Sequence, residues 1–156
     1  MKIEKFLSHS PIFALYLTTS LVVEAFQARL AKYEVHLLQA LVLTALFFEE
    51  REVRPSELSR AFQVDRSTLS HALRGLEKKG WLRRGLHPTD ARGYVLSLTS
   101  GGRRKALALV KEFDSTQDGL EAAVGSRRLR ETVDEIHGIR LQYQSLFGGR
   151  YAVPFP

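Results

Sequence analysis

The stretch VDRSTLSHALRGLEKKGWLRRGLHPTDARGYVLSLT, residues 64–99, sets two kinds of structure side by side. Its first half has apolar residues at helical spacing, and Asp65 can cap that helix by accepting from the free amides of the first turn. Gly80 ends the helix. The second half alternates apolar with polar or small residues around a segment rich in turn formers. We therefore predict a helix over 66–79 and then an antiparallel hairpin with strands at 81–85 and 94–99.

The predicted helix has two different faces. One face is apolar and is expected to meet a core, and it consists of Leu69, Ala72, Leu73 and Leu76. The opposite face carries small hydroxyls, an imidazole and a guanidinium, from Ser67, Ser70, His71 and Arg74. Small hydroxyls let a helix approach DNA closely, and arginine bonds guanine O6 and N7 together in the major groove. The alternative is an ordinary amphipathic helix whose polar face meets only water.

A short helix is predicted just before this one. Pro55-Ser56-Glu57 indicates its start and Phe62 its end, so only residues 63–64 remain for a tight turn. This order is typical of the helix-turn-helix. In the hairpin that follows, Arg92 can enter an adjacent minor groove, whose negative potential favours a cation. Asp90, two residues away, can orient Arg92. A solvated hairpin tip is the alternative for Arg92, and a simple turn residue is the alternative for Asp90.

The positive charge is concentrated in the same part of the chain. The sequence has 23 Lys and Arg against 17 Asp and Glu, a formal net charge of +6. Residues 65–105 hold ten of the bases and three of the acids, so this segment is +7 and the remainder is −1. Clustered cations favour a polyanion such as nucleic acid, although a solvated charged face is the alternative. Candidate phosphate contacts are Lys78, Arg83 and Arg84.

Long helices are predicted on both sides of this region, at 10–32, 33–50, 101–124 and 127–147. The order is therefore α-α-α-α-β-β-α-α, which is a mainly α fold with one small antiparallel hairpin. Val53 and Arg54 form a connector that can add one strand rung. The segment 12–26 is apolar around most of its girth, which in so small a protein predicts a subunit interface.

Several classes of function are disfavoured. The chain contains no cysteine, which excludes disulfides and thiol catalysis and fits a cytoplasmic location. No catalytic motif is present and the five histidines are scattered, so no enzyme, cofactor or metal site is predicted. His36 lies among apolar residues and is expected in the core. The segment 12–26 is interrupted by polar residues and is read as a buried helix, with a secretory signal or a membrane-surface helix as lesser alternatives.

The segment 55–103 resembles the winged helix-turn-helix core of the MarR family of bacterial transcriptional regulators. The resemblance rests on LEKKGWLRR (76–84), which leads into the wing, and on DARGYVLSLTSGG (90–102), which carries the D-x-R and L-T-x-x-G pattern. The helices before and after this core also match, so the resemblance covers nearly the whole chain.

The resemblance implies one domain over 1–156. Its parts are a DNA-binding lobe (33–99), dimerisation helices (10–32 and 100–147) and a tail (148–156). It implies a homodimeric repressor that binds a pseudo-palindromic operator in double-stranded DNA and is released by a small-molecule effector. The alternative is a winged helix that binds an acidic protein partner instead of DNA.

The resemblance also supplies candidate contacts. The recognition-helix candidates are Arg66, Ser67, Thr68, Ser70, His71 and Arg74, and the wing candidates are Asp90 and Arg92. Many members of the family carry arginine where His71 stands. A neutral imidazole reads bases differently from a guanidinium, so the operator sequence does not carry over from the family.

Overall fold

The computed structural model describes residues 2–49, 51–87 and 90–147, and it describes residues 8, 87, 90–92 and 147 by their backbone alone. Within these residues the order of elements is α1 (Lys2–His9), α2 (Pro11–Leu30), a 3₁₀ turn (Ala31–Tyr33), α3 (Leu37–Glu49), α4 (Pro55–Ala61), α5 (Arg66–Lys78), β1 (Leu82–His87), β2 (Asp90–Leu98), α6 (Ser100–Val124) and α7 (Ser126–Phe147). The predicted fold class, mainly α with one antiparallel hairpin, is confirmed. The predicted tail, 148–156, lies outside the described residues.

The helix α1 was not predicted. It ends at His9, and α2 begins at Pro11, where Ser10-Pro11 indicated a helix start. The ring of Phe6 packs edge-on against the ring of Phe13, with 5.7 Å between the centroids. This contact joins two helices across the Ser10-Pro11 break, so local sequence signals do not report it.

The hairpin is longer than predicted. Its strands pair from Leu82 opposite Leu98 to Leu86 opposite Tyr94, after which the register shifts. The segment 90–93, predicted as a turn, belongs to β2. Asp90 pairs with His87, and residues 91–93 lie at the register shift, where the strand is irregular. The expected extra rung is confirmed, since Val53 pairs with Leu96.

The core lies where α3, α5, α6 and the hairpin meet. Its largest fully buried side chains include Leu43, Leu73, Leu76, Leu96 and Leu109. Fully burying one such side chain stabilises the fold by about 1.5–3 kcal/mol. The hairpin and α5 are therefore held against α3 and α6 by the same apolar cluster.

A close backbone contact joins the hairpin to α6. The Thr99 hydroxyl donates to the carbonyl oxygen of Gly80 (2.7 Å) and accepts from the backbone N–H of Gly102 (3.0 Å). A Cβ atom on Gly102 would overlap the carbonyl oxygen of Trp81 and lie 2.8 Å from its carbonyl carbon. The L-T-x-x-G pattern of the sequence therefore has a physical reason, because the threonine caps α6 and only glycine fits against Trp81.

A buried carboxylate joins the end of α2 to α6. Glu112 accepts from Lys32 Nζ (2.6 Å), Arg29 Nε (2.7 Å) and the Tyr33 hydroxyl (3.0 Å). Hydrogen bonds from Lys32 and then from Arg29 lower the pKa of Glu112 to about 2. The stabilisation from this carboxylate is therefore present above the ordinary glutamate pKa and is lost as the pH falls towards 2.

The exposure of α2 in the single chain fits the subunit interface predicted for 12–26, whereas the burial prediction for His36 is wrong. In α2 only Leu30 is buried, while Tyr16, Leu17 and Leu21 each expose more than half of their surface. By length and composition, Pro11–Tyr33 is the one described segment that could cross a membrane. His36 is exposed rather than in the core, because it precedes α3. Its backbone N–H donates to Gln39 Oε1 (3.2 Å), and its carbonyl oxygen accepts from the Ala40 N–H (3.0 Å).

We expect Gly102→Ala to lower the free energy of unfolding by about 1–3 kcal/mol, because the added methyl group must displace the Trp81 backbone. Gly119→Ala is the matched control. Gly119 is exposed on the same helix and a Cβ there meets nothing within 4 Å, so alanine is expected to stabilise by up to about 1 kcal/mol. Urea denaturation measures both changes. Equal stabilities for the two variants would contradict the close contact at Trp81.

Candidate nucleic-acid interface

The turn between α4 and α5 is fixed by hydrogen bonds. The Ser59 hydroxyl donates to the carbonyl oxygen of Val64 (2.6 Å), and the Val64 N–H donates to the carbonyl oxygen of Ser59 (3.1 Å). Gln63 turns the chain with a left-handed φ of 52°. The two helices therefore form the predicted helix-turn-helix, with α5 as its second helix.

The rotation of α5 matches the prediction. Its buried residues are Leu69, Ala72, Leu73 and Leu76, as the spacing indicated. Gly75 faces α3, where a Cβ atom would overlap the buried amide of Gln39. The opposite face points outward. Ser67, His71 and Arg74 are exposed on it and Ser70 is half-buried, while Arg66, Thr68 and Lys78 are also exposed.

The first turn of α5 contains a compact polar cluster. The Asp65 carboxylate accepts from the Ser67 hydroxyl (2.5 Å), the Thr68 backbone N–H (2.8 Å) and the Thr68 hydroxyl (2.7 Å). The hydrogen bond from Ser67, followed by those from Thr68, holds the pKa of Asp65 well below its usual range. The predicted N-cap is therefore confirmed, and it is ionised near neutral pH.

The hairpin lies alongside α5. A cleft of about 250 Å³ between α4, α5 and β2 is lined in part by Ser56, Arg66, Ser70 and Tyr94. Tyr94 belongs to β2, so the hairpin and the first turns of α5 border the same surface. The helix and the hairpin, which follow each other in the sequence, therefore lie side by side in the structure.

Arg84, a predicted phosphate contact, is paired within the protein. Its guanidinium pairs with both carboxylate oxygens of Glu77 (2.6 and 2.9 Å) and lies over the Tyr94 ring, 4.5 Å from the centroid. It joins α5 to both strands of the hairpin, and its charge is neutralised in the pair. Arg83 donates to the Ser97 hydroxyl (2.9 Å) and remains exposed, as does Lys78.

For the two wing candidates, the structure gives the position of the backbone alone. Asp90 and Arg92 both belong to β2, close to the end where β1 and β2 join. Their side chains lie outside the described part of the structure, so the expected pairing of Asp90 with Arg92 stays a prediction. Across residues 2–49, 51–87 and 90–147, no group of three His, Asp or Glu side chains is arranged to hold a metal ion.

Comparison with known proteins identifies the family. A sequence model of the MarR family matches residues 33–93, which include α3, the helix-turn-helix and most of the hairpin. The uncharacterized HTH-type transcriptional regulator YdcH of Bacillus subtilis is 31% identical over 111 residues, which are 67% of this chain and 76% of that protein. The chain belongs to the MarR family of transcriptional regulators. SarZ of Staphylococcus haemolyticus, another HTH-type regulator, is 29% identical over 130 residues, 79% of this chain and 88% of SarZ.

Solved structures show that the MarR fold extends over most of the chain. The Staphylococcus aureus MepR protein in its complex with DNA superposes with a TM-score of 0.79, over 88% of this chain and 99% of that one, at 17% identity. The regulator BldR of Sulfolobus solfataricus superposes with a TM-score of 0.71, over 88% and 98% of the two chains, at 22% identity. The MarR fold therefore includes the long helices as well as the winged helix-turn-helix.

The ion pair of Arg84 leads to a prediction for the salt dependence of DNA binding. The double variant Glu77→Gln/Arg84→Gln removes a neutral pair, so the slope of log K against log salt should not change. Lys78→Gln removes an exposed cation. Its slope should become less steep by about 0.9 for each phosphate that Lys78 neutralises, or about 1.8 for a dimer.

Fluorescence anisotropy with a labelled duplex at several salt concentrations measures these slopes. A slope that becomes less steep in the Glu77/Arg84 double variant would show that Arg84 contacts phosphate after all. An unchanged slope in Lys78→Gln would show that Lys78 does not contact a phosphate.

Proposed function

We propose that this protein is a homodimeric transcriptional repressor that binds a pseudo-palindromic operator in double-stranded DNA. The observation that carries the proposal is the outward face of α5, where Ser67, His71 and Arg74 are exposed beside a hairpin in the most basic part of the chain. A helix fits the major groove, and its exposed polar side chains reach the base edges there.

Each part of this surface has a separate proposed role. The residues proposed to contact DNA from α5 are Arg66, Ser67, Thr68, Ser70, His71 and Arg74. Asp90 and Arg92 are proposed to act from the wing, with the arginine in the minor groove. Lys78 and Arg83 are exposed and are proposed to contact phosphates. We assign Arg84 instead to positioning the wing, because its charge is already paired with Glu77.

Dimer formation is supported by the uncovered apolar surface of the long helices. Tyr16, Leu17 and Leu21 of α2 are exposed, and so are Ile136 and Leu146 of α7. Burying such a surface between two chains removes it from water and places two α5 helices in a two-fold arrangement. Two α5 helices about 34–36 Å apart would meet successive major grooves.

Regulation follows from the same geometry. A small molecule that changes the distance between the two α5 helices would prevent them from meeting successive grooves, and we propose that an effector of this kind releases the repressor. The relatives named above are transcriptional regulators, which supports a regulatory rather than an enzymatic role and a cytoplasmic location.

Selection of bound sites from a random duplex pool tests the proposal. We expect an enriched palindrome whose half-sites are one helical turn apart, because two α5 helices read the two halves. Arg74→Ala should weaken binding to the selected site by roughly 5- to 150-fold, the range expected when one good interaction with a base is removed.

Lys111→Ala is the matched control, since Lys111 is an exposed base on α6. It should bind the selected site as the wild type does. Failure to enrich any duplex at low salt would overturn the proposal and would favour a winged helix that binds an acidic protein.

A further inference from the structure

We propose that Asp65 determines sequence specificity by orienting the hydroxyls of Ser67 and Thr68 as hydrogen-bond acceptors for a base amino group. The inference rests on the proposed function, because it assumes that α5 enters the major groove. It goes beyond that function by naming the chemical group that the first turn of α5 recognises.

The direction of the two hydroxyl bonds follows from chemistry. An ionised carboxylate can only accept hydrogen bonds. Ser67 Oγ lies 2.5 Å from Asp65 Oδ1, and Thr68 Oγ1 lies 2.7 Å from Asp65 Oδ2. Each hydroxyl has one proton, so both protons are used in these bonds. The hydroxyl oxygens retain only lone pairs for any other partner.

The polar cluster of Asp65, Ser67 and Thr68 also occupies the N-terminal end of α5. The free amides of a first helical turn are a ready site for phosphate, but the Thr68 N–H already donates to Asp65 Oδ1 (2.8 Å). The carboxylate adds a negative charge that repels phosphate. Both features direct this turn away from the DNA backbone and towards the bases.

The available lone pairs select one kind of base atom. In the major groove, adenine N6 and cytosine N4 carry amino groups that donate, whereas guanine O6 and N7 and thymine O4 only accept. Phosphate oxygens also only accept. Exposed at the start of α5, Ser67 and Thr68 are therefore matched to an adenine or cytosine amino group, and neither hydroxyl can donate to thymine, guanine or phosphate while Asp65 holds it.

Duplexes that lack single amino groups test this inference. The operator from the selection experiment is synthesised with each adenine replaced in turn by purine, and each cytosine by 2-pyrimidinone. Loss of the amino group that Ser67 or Thr68 contacts should weaken wild-type binding about three- to tenfold, the value of one hydrogen bond. Ser67→Ala or Thr68→Val should remove that penalty, because the acceptor is then missing.

The variant Asp65→Asn distinguishes orientation of a hydroxyl by Asp65 from stabilisation of the helix by Asp65. Asparagine still caps a helix, so the fold is retained. Its Oδ1 can still accept from the Ser67 hydroxyl and the Thr68 N–H, but its NH₂ group replaces the oxygen that accepted from Thr68 Oγ1 and donates to that hydroxyl instead. Where Thr68→Val shows that Thr68 contacts the amino group, we expect the penalty to fall below about twofold in Asp65→Asn, and where Ser67→Ala shows that Ser67 contacts it, we expect the penalty to stay. Asp118→Asn makes the same charge change on an exposed part of α6 and should keep the full penalty.

The outcomes separate the two proposals. If the wild type binds the operator specifically but no amino-deleted duplex weakens it by more than twofold, the orientation by Asp65 is wrong and the regulator proposal stands. A penalty that Thr68→Val removes but that persists unchanged in Asp65→Asn would also overturn it. A wild-type protein that binds no duplex specifically would overturn the regulator proposal, and this inference with it.

Discussion

The rotation of α5 about its own axis is the constraint on which the rest of the structure depends. Leu69, Leu73 and Leu76 are almost completely buried, and Gly75 lets the helix approach the buried Gln39 of α3. Turning the helix by one residue would expose several of these leucines, at a cost of about 1.5–3 kcal/mol each. The outward direction of Ser67, His71 and Arg74 is therefore a consequence of core packing, and the proposed contacts with DNA depend on it.

Polar contacts connect this helix to the rest of the protein. Arg84 joins α5 to the hairpin through Glu77 and Tyr94, so the wing and the recognition helix are held as one body. Glu112 joins α2, which is proposed to form part of the dimer surface, to α6, which contributes Leu109 to the core. A change in the dimer helices can therefore reach the DNA-binding surface through fixed contacts, which suits a regulator that responds to a ligand.

The sequence predicted local structure better than contacts between distant residues. The two faces of α5, the Asp65 cap and the rung at Val53 follow from spacing and turn chemistry, and all are present in the structure. The partners of Glu112 lie about 80 residues away from it, and Arg84 meets Glu77 only after the chain turns at Gly80. Such pairs depend on tertiary packing, which residue spacing does not report. The roles of the individual DNA-contacting residues stay predictions.

Cleavage of DNA from a single site on α5 tests most directly whether this face enters the major groove. The chain has no cysteine, so His71→Cys provides a unique attachment point for an iron chelate that cuts nearby DNA. The account predicts two clusters of cuts, one in each half-site and about one helical turn apart. Asp118→Cys, on α6, should give none. Bound DNA that is cut equally from both positions, or is left intact by the chelate at position 71, would contradict the account.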